Sequence, residues 1–432
     1  ATLDAVDGLP LFGLGASLAV VFGAAALIPV LLEVLRRHGR ALLARWFGVM
    51  GVLAHANLSA AVSRLAVSVA ALVVSLAMLA AIAIMVGSFR ETVTYWISQT
   101  LQADLFVVTA DRGSGGSTAS ISEAVEQQFQ SHPAVVAVDG FRSVDLPYGP
   151  DNDLIILGAG NFGVLLDYGG LAFKAPTDGE TAMRSAVGAD AVIVSESFAL
   201  KQGVGVGEEI ALDTPNGPRS FHVVAIYYDY SSDRGLVVLD RATFARHYGQ
   251  QRPVSLALYL KPEAGAEAVR EELLAGLGPD RRLFLRTNAG LRAEVLRIFD
   301  ATFAVTYALE AIAIFVAILG VAATLLTLVL ERRRELAMLR LLGASRAQIR
   351  RMVVIEAALL GVLGQGAGLV VGGILSMILV YVINVQSFGW TIQFHVPFGF
   401  LVQSTFLIVV ASALAGLYPA HVASQVVTED AR

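Results

Sequence analysis

Cysteine is absent from the 432 residues, which excludes disulfides and thiolate metal sites but does not fix the compartment. Charge is scarce as well. Asp, Glu, Lys and Arg make up 16%, hydrophobic residues reach 56%, and mean hydropathy is +0.66. These values lie outside the soluble range and point to a membrane chain. Signatures of chemistry are also missing. No G-x-S-x-G, H-E-x-x-H or G-x-x-x-x-G-K-[ST] occurs, and the seven histidines are scattered without metal-ligand spacing. The sequence therefore predicts no catalytic, cofactor-binding or metal-binding residue, and a protein that is not itself an enzyme.

What charge there is falls unevenly. Residues 33–64 and 331–356 together hold 12 Arg against 4 acids, whereas 90–297 hold 18 basic and 26 acidic residues. The loop 384–397 has no charged residue. Lys and Arg are retained on the cytoplasmic side, so the Arg-rich stretches are expected inside and 90–297 outside. The acidic balance of 90–297 argues against nucleic acid as a partner.

Five apolar runs, 11–35, 65–86, 303–330, 353–383 and 398–418, reach or exceed the ~20 residues that cross ~30 Å of hydrocarbon. They fit one alternating topology. The expected organisation is a leading membrane helix over 1–40, an interfacial helix and a membrane helix over 41–89, an outer domain over 90–297, and three membrane helices over 298–432. The interfacial helix is read from 41–57, which has few charges and a Trp46-Phe47 pair. The fold class is thus membrane α-helical with a large α+β extracytoplasmic domain.

Two polar residues in the spans need weighing. Glu310 lies 22 positions from Arg332, about 33 Å along a helix, which predicts an outer-interface residue in snorkelling or helix pairing rather than a proton relay. Gln365 sits among Gly361, Gly364, Gly366, Gly368, Gly372 and Gly373, small residues that suit close helix packing. The first and fifth runs also resemble each other. Pro10-Leu11-Phe12-Gly13 is followed by Pro29, and Pro397-Phe398-Gly399 by Pro419. This repeat suggests the last helix of a preceding module, and hence the C-terminal half of a duplicated protein.

In the outer segment, strand-like runs fall at 104–108, 135–146, 154–158, 191–195, 209–212, 221–228, 236–239 and 254–260, and helical runs at 120–131, 263–277 and 289–299. Ser120 and Glu123 read as a capping box. The run 289–299 enters the third span without a breaker, so that helix and the outer domain are expected to move as one lever. Gly203-Val204-Gly205-Val206-Gly207 reads as a turn before a strand, since it lacks the strand-then-helix setting of a dinucleotide loop. Tyr227-Tyr228-Asp229-Tyr230 reads as a strand end, with a contact surface as the other reading, and 111–118 as a flexible loop.

Between the third and fourth runs lies ERRRELAMLRLLGASRAQIRRM, Glu331 to Met352. Leu336, Leu339 and Leu342 recur at i, i+3 and i+6 among Arg333, Arg334 and Arg340, an amphipathic hairpin. Gly343-Ala344-Ser345 breaks it, with Ser345 placed to cap the next helix. It is either a topological anchor or an element on which a cytoplasmic partner pushes.

This run resembles the coupling segment of the FtsX-like permease family of ABC transporters, which includes MacB and the lipoprotein-releasing permeases. Ala56-Asn57-Leu58 followed by Arg64 resembles that family's approach to its first helix, and Tyr418-Pro419-Ala420 with Glu429-Asp430-Ala431-Arg432 its closing segment. The resemblance covers 41–432; the leading helix departs from a single module and fits the duplicated members. It implies a bacterial inner-membrane permease without cofactor in this chain. ATP and Mg would lie on a dimer of cytoplasmic ATPase subunits gripping Glu331, Arg332, Arg333, Arg334, Glu335, Met338, Leu339, Leu342, Gly343, Ala344 and Ser345. Met338, Leu339 and Leu342 would fill a groove, with the charged residues as a rim. Implied further are a preceding module or second permease copy, membrane lipid, and a periplasmic partner or substrate protein. The work expected is export or extraction of a lipoprotein, peptide or hydrophobic compound. Signalling to a cell-wall hydrolase, or sensing of an antimicrobial peptide, is the alternative. A secondary transporter is disfavoured, because the spans lack ion-site residues.

Overall fold

The computed structural model describes residues 9–60, 62–109, 120–150, 152–277, 283–331 and 333–425. The chain forms two compact units. One comprises Ala1–Phe89, Ala301–Gln386 and Ile392–Arg432; the other comprises Arg90–Asp300 with Ser387–Thr391. The glycine-serine loop 111–118, Arg332 and the tail 426–432 lie outside the described residues.

The membrane unit opens with helix α1 (Leu11–Ala60) and most of α2 (Val62–Thr100). Helix α1 is interrupted at Gly48, whose φ of 58° and ψ of −141° are open to glycine but strained for a side chain. Residues 41–57, expected as an interfacial helix, are helical on both sides of this interruption, and the part before Gly48 continues from the leading helix.

In the outer domain the order is β1 (Leu105–Thr109), α3 (Glu123–Gln130), β2 (Val135–Tyr148), β3 (Asp153–Gly160), α4 (Phe162–Asp167), β4 (Phe173–Ala175), α5 (Gly179–Ser185), β5 (Ala191–Ser195) and α6 (Glu196–Gln202). Then come β6 (Glu209–Thr214), β7 (Gly217–Tyr227), β8 (Leu236–Asp240), α7 (Arg241–Tyr248), β9 (Ser255–Leu260), α8 (Ala266–Gly276) and β10 (Leu283–Thr287). The strands run β10-β1-β9-β2-β3-β8-β5-β7-β4, with β6 on β7. Strand β2 joins two halves, since Val135–Phe141 pair with β9 and Arg142–Tyr148 with β3. One half buries Leu105, Val107, Phe129, Leu256 and Leu258; the other buries Leu157, Val194, Phe198, Phe221 and Leu239. Apart from Phe129 of α3 and Phe198 of α6, each set comes from alternate residues of its strands, as a sheet with one face on a core requires.

Several local expectations shift. The cap of α3 is Ser122, which accepts from Val125 N, not Ser120. Strands β4 and β10 and helices α4 to α7 are too short to show a period. Gly203 (φ 65°) closes α6 and Gly207 (φ 87°) precedes β6, so the glycine run is a turn before a strand.

Helix α9 (Asn288–Glu331) is one unbroken helix of 44 residues, as the lack of a breaker after 299 predicted. After it come α10 (Arg333–Leu341), α11 (Arg346–Ile378), a π-helical turn at Leu379–Ile383, α12 (Asn384–Phe388), α13 (Phe398–Ala415) and α14 (Leu417–Gln425). Among the described residues four helices are long and apolar enough to cross a membrane: Leu11–Ala41, Ala66–Thr100, Arg346–Phe388 and Phe398–Val422. The fifth expected span, 303–330, belongs to α9 and is not among the four. Many of its side chains, Glu310 included, lie outside the described residues.

Within this unit α11 is the central helix. Ile28 and Leu32 of α1, Val69, Leu72, Val73 and Leu76 of α2, Ala357 and Leu360 of α11, and Ile408 of α13 form one buried cluster. The small residues of α11 permit this approach. A Cβ at Gly368 would stand 2.8 Å from Leu76 Cβ, and one at Gly372 would stand 2.7 Å from Ala77 O. Gln365 donates to Thr405 Oγ1 at 3.0 Å across the α11–α13 contact. The repeat between the first and fifth runs extends to backbone detail. Leu11 N bonds to Leu9 O, and Phe398 N to Val396 O, both at 2.8 Å; Leu14 N to Pro10 O and Leu401 N to Pro397 O are both 3.0 Å.

Candidate coupling site

The hairpin between α9 and α11 is built by ordinary helix-end chemistry. After α10, Ala344 N returns to Leu339 O at 3.0 Å and Gly343 takes φ 102°, which ends the helix. Ser345 then caps α11 in a complete capping box: its Oγ accepts from Gln348 N at 3.2 Å, and its N donates to Gln348 Oε1 at 2.7 Å. The predicted cap is observed.

The apolar residues of this segment divide between two surfaces. Leu336 is buried with Ala54, Val329, Ile349, Met352, Val353 and Ala420, and Leu339 packs partly buried against the same cluster. Burying one leucine contributes about 1.5–3 kcal/mol, so this pair fixes α10 to its neighbours. Met338 (57%), Leu341 (84%) and Leu342 (85%) are exposed. Of the expected knob set, Leu339 is half-buried against this cluster, while Leu341, which the period did not select, is exposed like its neighbour Leu342. Glu331, Arg334, Glu335, Gly343 and Ser345 are exposed and Ala344 is half-buried; the side chain of Arg333 and all of Arg332 lie outside the described residues.

One level above, Glu356 of α11 is buried and accepts from Asn57 Nδ2 at 2.6 Å. The bond joins the segment after Gly48 to α11. Sequence reading counted Glu356 only among the charges of 331–356 and gave it no partner.

In the outer domain the start of α9 is tied to the end of α2. Asn288 Nδ2 donates to Leu101 O and Ala103 O, both at 2.7 Å, and Arg292 Nη2 donates to Leu101 O at 2.9 Å. These donors satisfy carbonyls that the end of a helix leaves open.

A second tie lies at α6. Ser195 caps that helix, and Glu196, its first residue, has a side chain 1% exposed. A buried carboxylate is costly without partners, and Glu196 has three. Lys174 Nζ lies at 2.6 Å, Thr391 Oγ1 donates at 2.8 Å, and Thr391 N donates at 3.0 Å. Tyr230 OH donates to Thr391 O at 2.9 Å, and its ring meets Trp390 and Trp96 edge-on at 5.9 and 5.8 Å. Burial raises the Tyr230 hydroxyl well above the usual phenol range and holds it as a donor. Residues 387–391 thus belong to the outer domain although they fall in the loop between the last two membrane helices. The tyrosine-rich strand end is both a strand end, since β7 stops at Tyr227, and a contact surface. Among the described residues no group of three or more His, Asp or Glu side chains is placed to hold a metal.

Comparison with known proteins follows this architecture. Residues 308–426 match the family model of the FtsX-like permease C-terminal region, and residues 65–275 that of the MacB-like periplasmic core domain. An uncharacterized ABC transporter permease protein of Mycobacterium tuberculosis is 30% identical over 387 residues, 88% of this chain and 44% of the relative. The chain therefore spans less than half of that relative's length. Among solved structures, the periplasmic region of MacB from Actinobacillus actinomycetemcomitans is 15% identical, with 46% of this chain and 95% of that one covered and a TM-score of 0.33. The extracellular domain of the ABC-type transporter YknZ from Gram-positive bacteria is 16% identical, covering 43% and 99%, with a TM-score of 0.31.

Proposed function

We propose that the chain is a permease of the FtsX-like type with a MacB-like periplasmic core domain, set in the inner membrane with its large domain outside the cytoplasm, and that it passes the motion of cytoplasmic ATPase subunits to that domain; the two family-model matches support this reading. The carrying observation is the split surface of α10. Leu336 and Leu339 anchor it to α11, while Met338, Leu341 and Leu342 face outward. Two exposed apolar side chains of one short helix and a third in the turn just after it suit a groove on a partner. The arginine-bearing ends of the segment orient the docking. ATP and Mg belong to the partner in this reading. Motion entering at α10 passes into α9, whose far end holds Leu101 and Ala103 through Asn288. The work done is extraction or export of a lipoprotein, peptide or hydrophobic compound.

Co-purification with the ATPase tests this. Leu341→Asp and Leu342→Asp together bury two charges in the proposed groove and release the ATPase, while the permease still inserts. Arg334→Ala removes an exposed charge worth about 0–1 kcal/mol and retains it. Retention by the double variant together with release by Arg334→Ala would show a charge-led interface instead.

A further inference from the structure

Between the two halves of the outer-domain sheet lies a cavity of about 580 Å³, a size that accepts a drug-sized molecule. Its floor is fixed by strand register. Phe106 of β1, Ala257 of β9 and Asp139 of β2 are direct cross-strand neighbours, so their side chains share one face of the sheet. Phe141, Trp96 and Tyr227 add aromatic surface. Two carboxylates line this largely apolar space, Asp139 (5% exposed) and Asp229 (4%). Among the described residues neither forms a salt bridge or hydrogen bond with a basic side chain. Asp139 Oδ1 accepts from Asn161 N at 2.8 Å; Asp229 accepts from Ser231 N at 2.9 Å and Ser231 Oγ at 3.0 Å. Arg286 also lines the cavity but is exposed. Arg241 acts on Asp139 only at longer range, since its guanidinium is held by Glu126 at 2.5 and 3.0 Å. Thr100 Oγ1, buried on the cavity wall, has no hydrogen-bond partner.

We propose that this cavity binds a hydrophobic organic cation, an ammonium or phosphonium centre carrying apolar groups. Buried charges are stabilised by opposite charge placed within the same low-dielectric space. A cation between Asp139 and Asp229 supplies that charge, and aromatic faces attract it further. A neutral ligand would leave both carboxylates uncompensated, and an anion would meet like charge. Burial lifts Asp139 to about 6 and Asp229 above the ordinary carboxylate range, the direction expected of buried carboxylates with no cation beside them. The site names a ligand class for the domain on which the proposed coupling acts, but its occupancy does not depend on the ATPase.

The test uses the full chain in nanodiscs of zwitterionic lipid, with tetraphenylphosphonium as probe and empty nanodiscs as reference. Saturable binding of one equivalent is expected. It weakens at least tenfold in the double variant Asp139→Asn, Asp229→Asn and stays unchanged in Asp153→Asn, an exposed carboxylate outside the cavity. Ala257→Leu, which fills the floor while both carboxylates are kept, abolishes it and guards against misfolding of the Asn variants. Triphenylphosphine oxide, a neutral analogue, binds at least tenfold more weakly. Equal binding by the wild type, the double Asn variant and Ala257→Leu, or none above empty nanodiscs, overturns the proposal. Either result leaves ATPase co-purification, and so the coupling reading, untouched.

Discussion

Glu196 and Thr391 lie 195 positions apart, yet the carboxylate of the first receives both the backbone N–H and the hydroxyl of the second. Thr391 stands in a loop whose two ends run into membrane helices, whereas Glu196 starts a helix of the outer domain. The same carboxylate neutralises Lys174, so the contact is a charge-assisted one in a buried setting.

Glu196→Gln weakens this tie. Hydrogen bonds to charged groups contribute about 1.5–3 kcal/mol, so exchange of the Thr391 amide with solvent should quicken by roughly 10- to 100-fold. Thr391→Val removes only the hydroxyl and should act more weakly on the neighbouring Trp390 amide. Unchanged protection at 387–391 in the glutamine variant would mean that packing of Phe388, Trp390 and Tyr230 alone holds the loop.

Asp139 predicts a pH dependence. Its folded value of about 6 lies above the ordinary 3.8, so between these values the folded state holds the proton more tightly than the unfolded chain. Stability from this group is full below about pH 4 and lost as pH rises through 6, a change of about 3 kcal/mol. Asp139→Asn keeps an acceptor for Asn161 N, and should stabilise the domain at pH 7.5 while changing little at pH 4. Amide protection of strand β2 measures it; an equal effect at both pH values would contradict the assignment.

The glycines of α11 divide by environment. A Cβ at Gly364 would lie 2.5 Å from Leu72 Cδ2, whereas Gly366 and Gly373 have nothing within 4 Å. Gly364→Val should therefore lower thermal stability in detergent by about 1–3 kcal/mol through overpacking, and Gly366→Ala should not. Equal melting of the two variants would remove the close-packing account.

Much of this was legible in advance, and the reasons are local. The caps, turns and apolar runs at Ser345, Gly203 and the membrane helices are set within a few residues, so the sequence carries them. The glycine spacing of α11 likewise predicted a close helix contact before any partner was known. What escaped depends on distant pairing. Sequence reading gave Glu196 no role, and only the fold brings Lys174 and Thr391 to it. Glu356 meets Asn57 from 299 positions away. Leu339 and Leu341 could not be sorted by period, because the α10 helix buries one side against α11 and a nine-residue helix offers too few turns to mark the face.

The topology separates cleanly by labelling, since the chain has no cysteine of its own. Single cysteines at Val187 and at Ser345, both exposed, should react with an impermeant maleimide from opposite faces of the membrane. Reaction of both from one face would break the alternating arrangement.

The central claim is that the outward face of α10 seats in the ATPase. A single cysteine at Leu342, paired with a short bifunctional cross-linker in membranes containing the ATPase, measures this most directly. The account predicts a covalent permease–ATPase adduct from Leu342→Cys that is lost when Leu341→Asp is added, and none from a cysteine at the half-buried Leu339. An adduct from position 339 with none from 342 would place the interface on the opposite face of the helix and contradict the account.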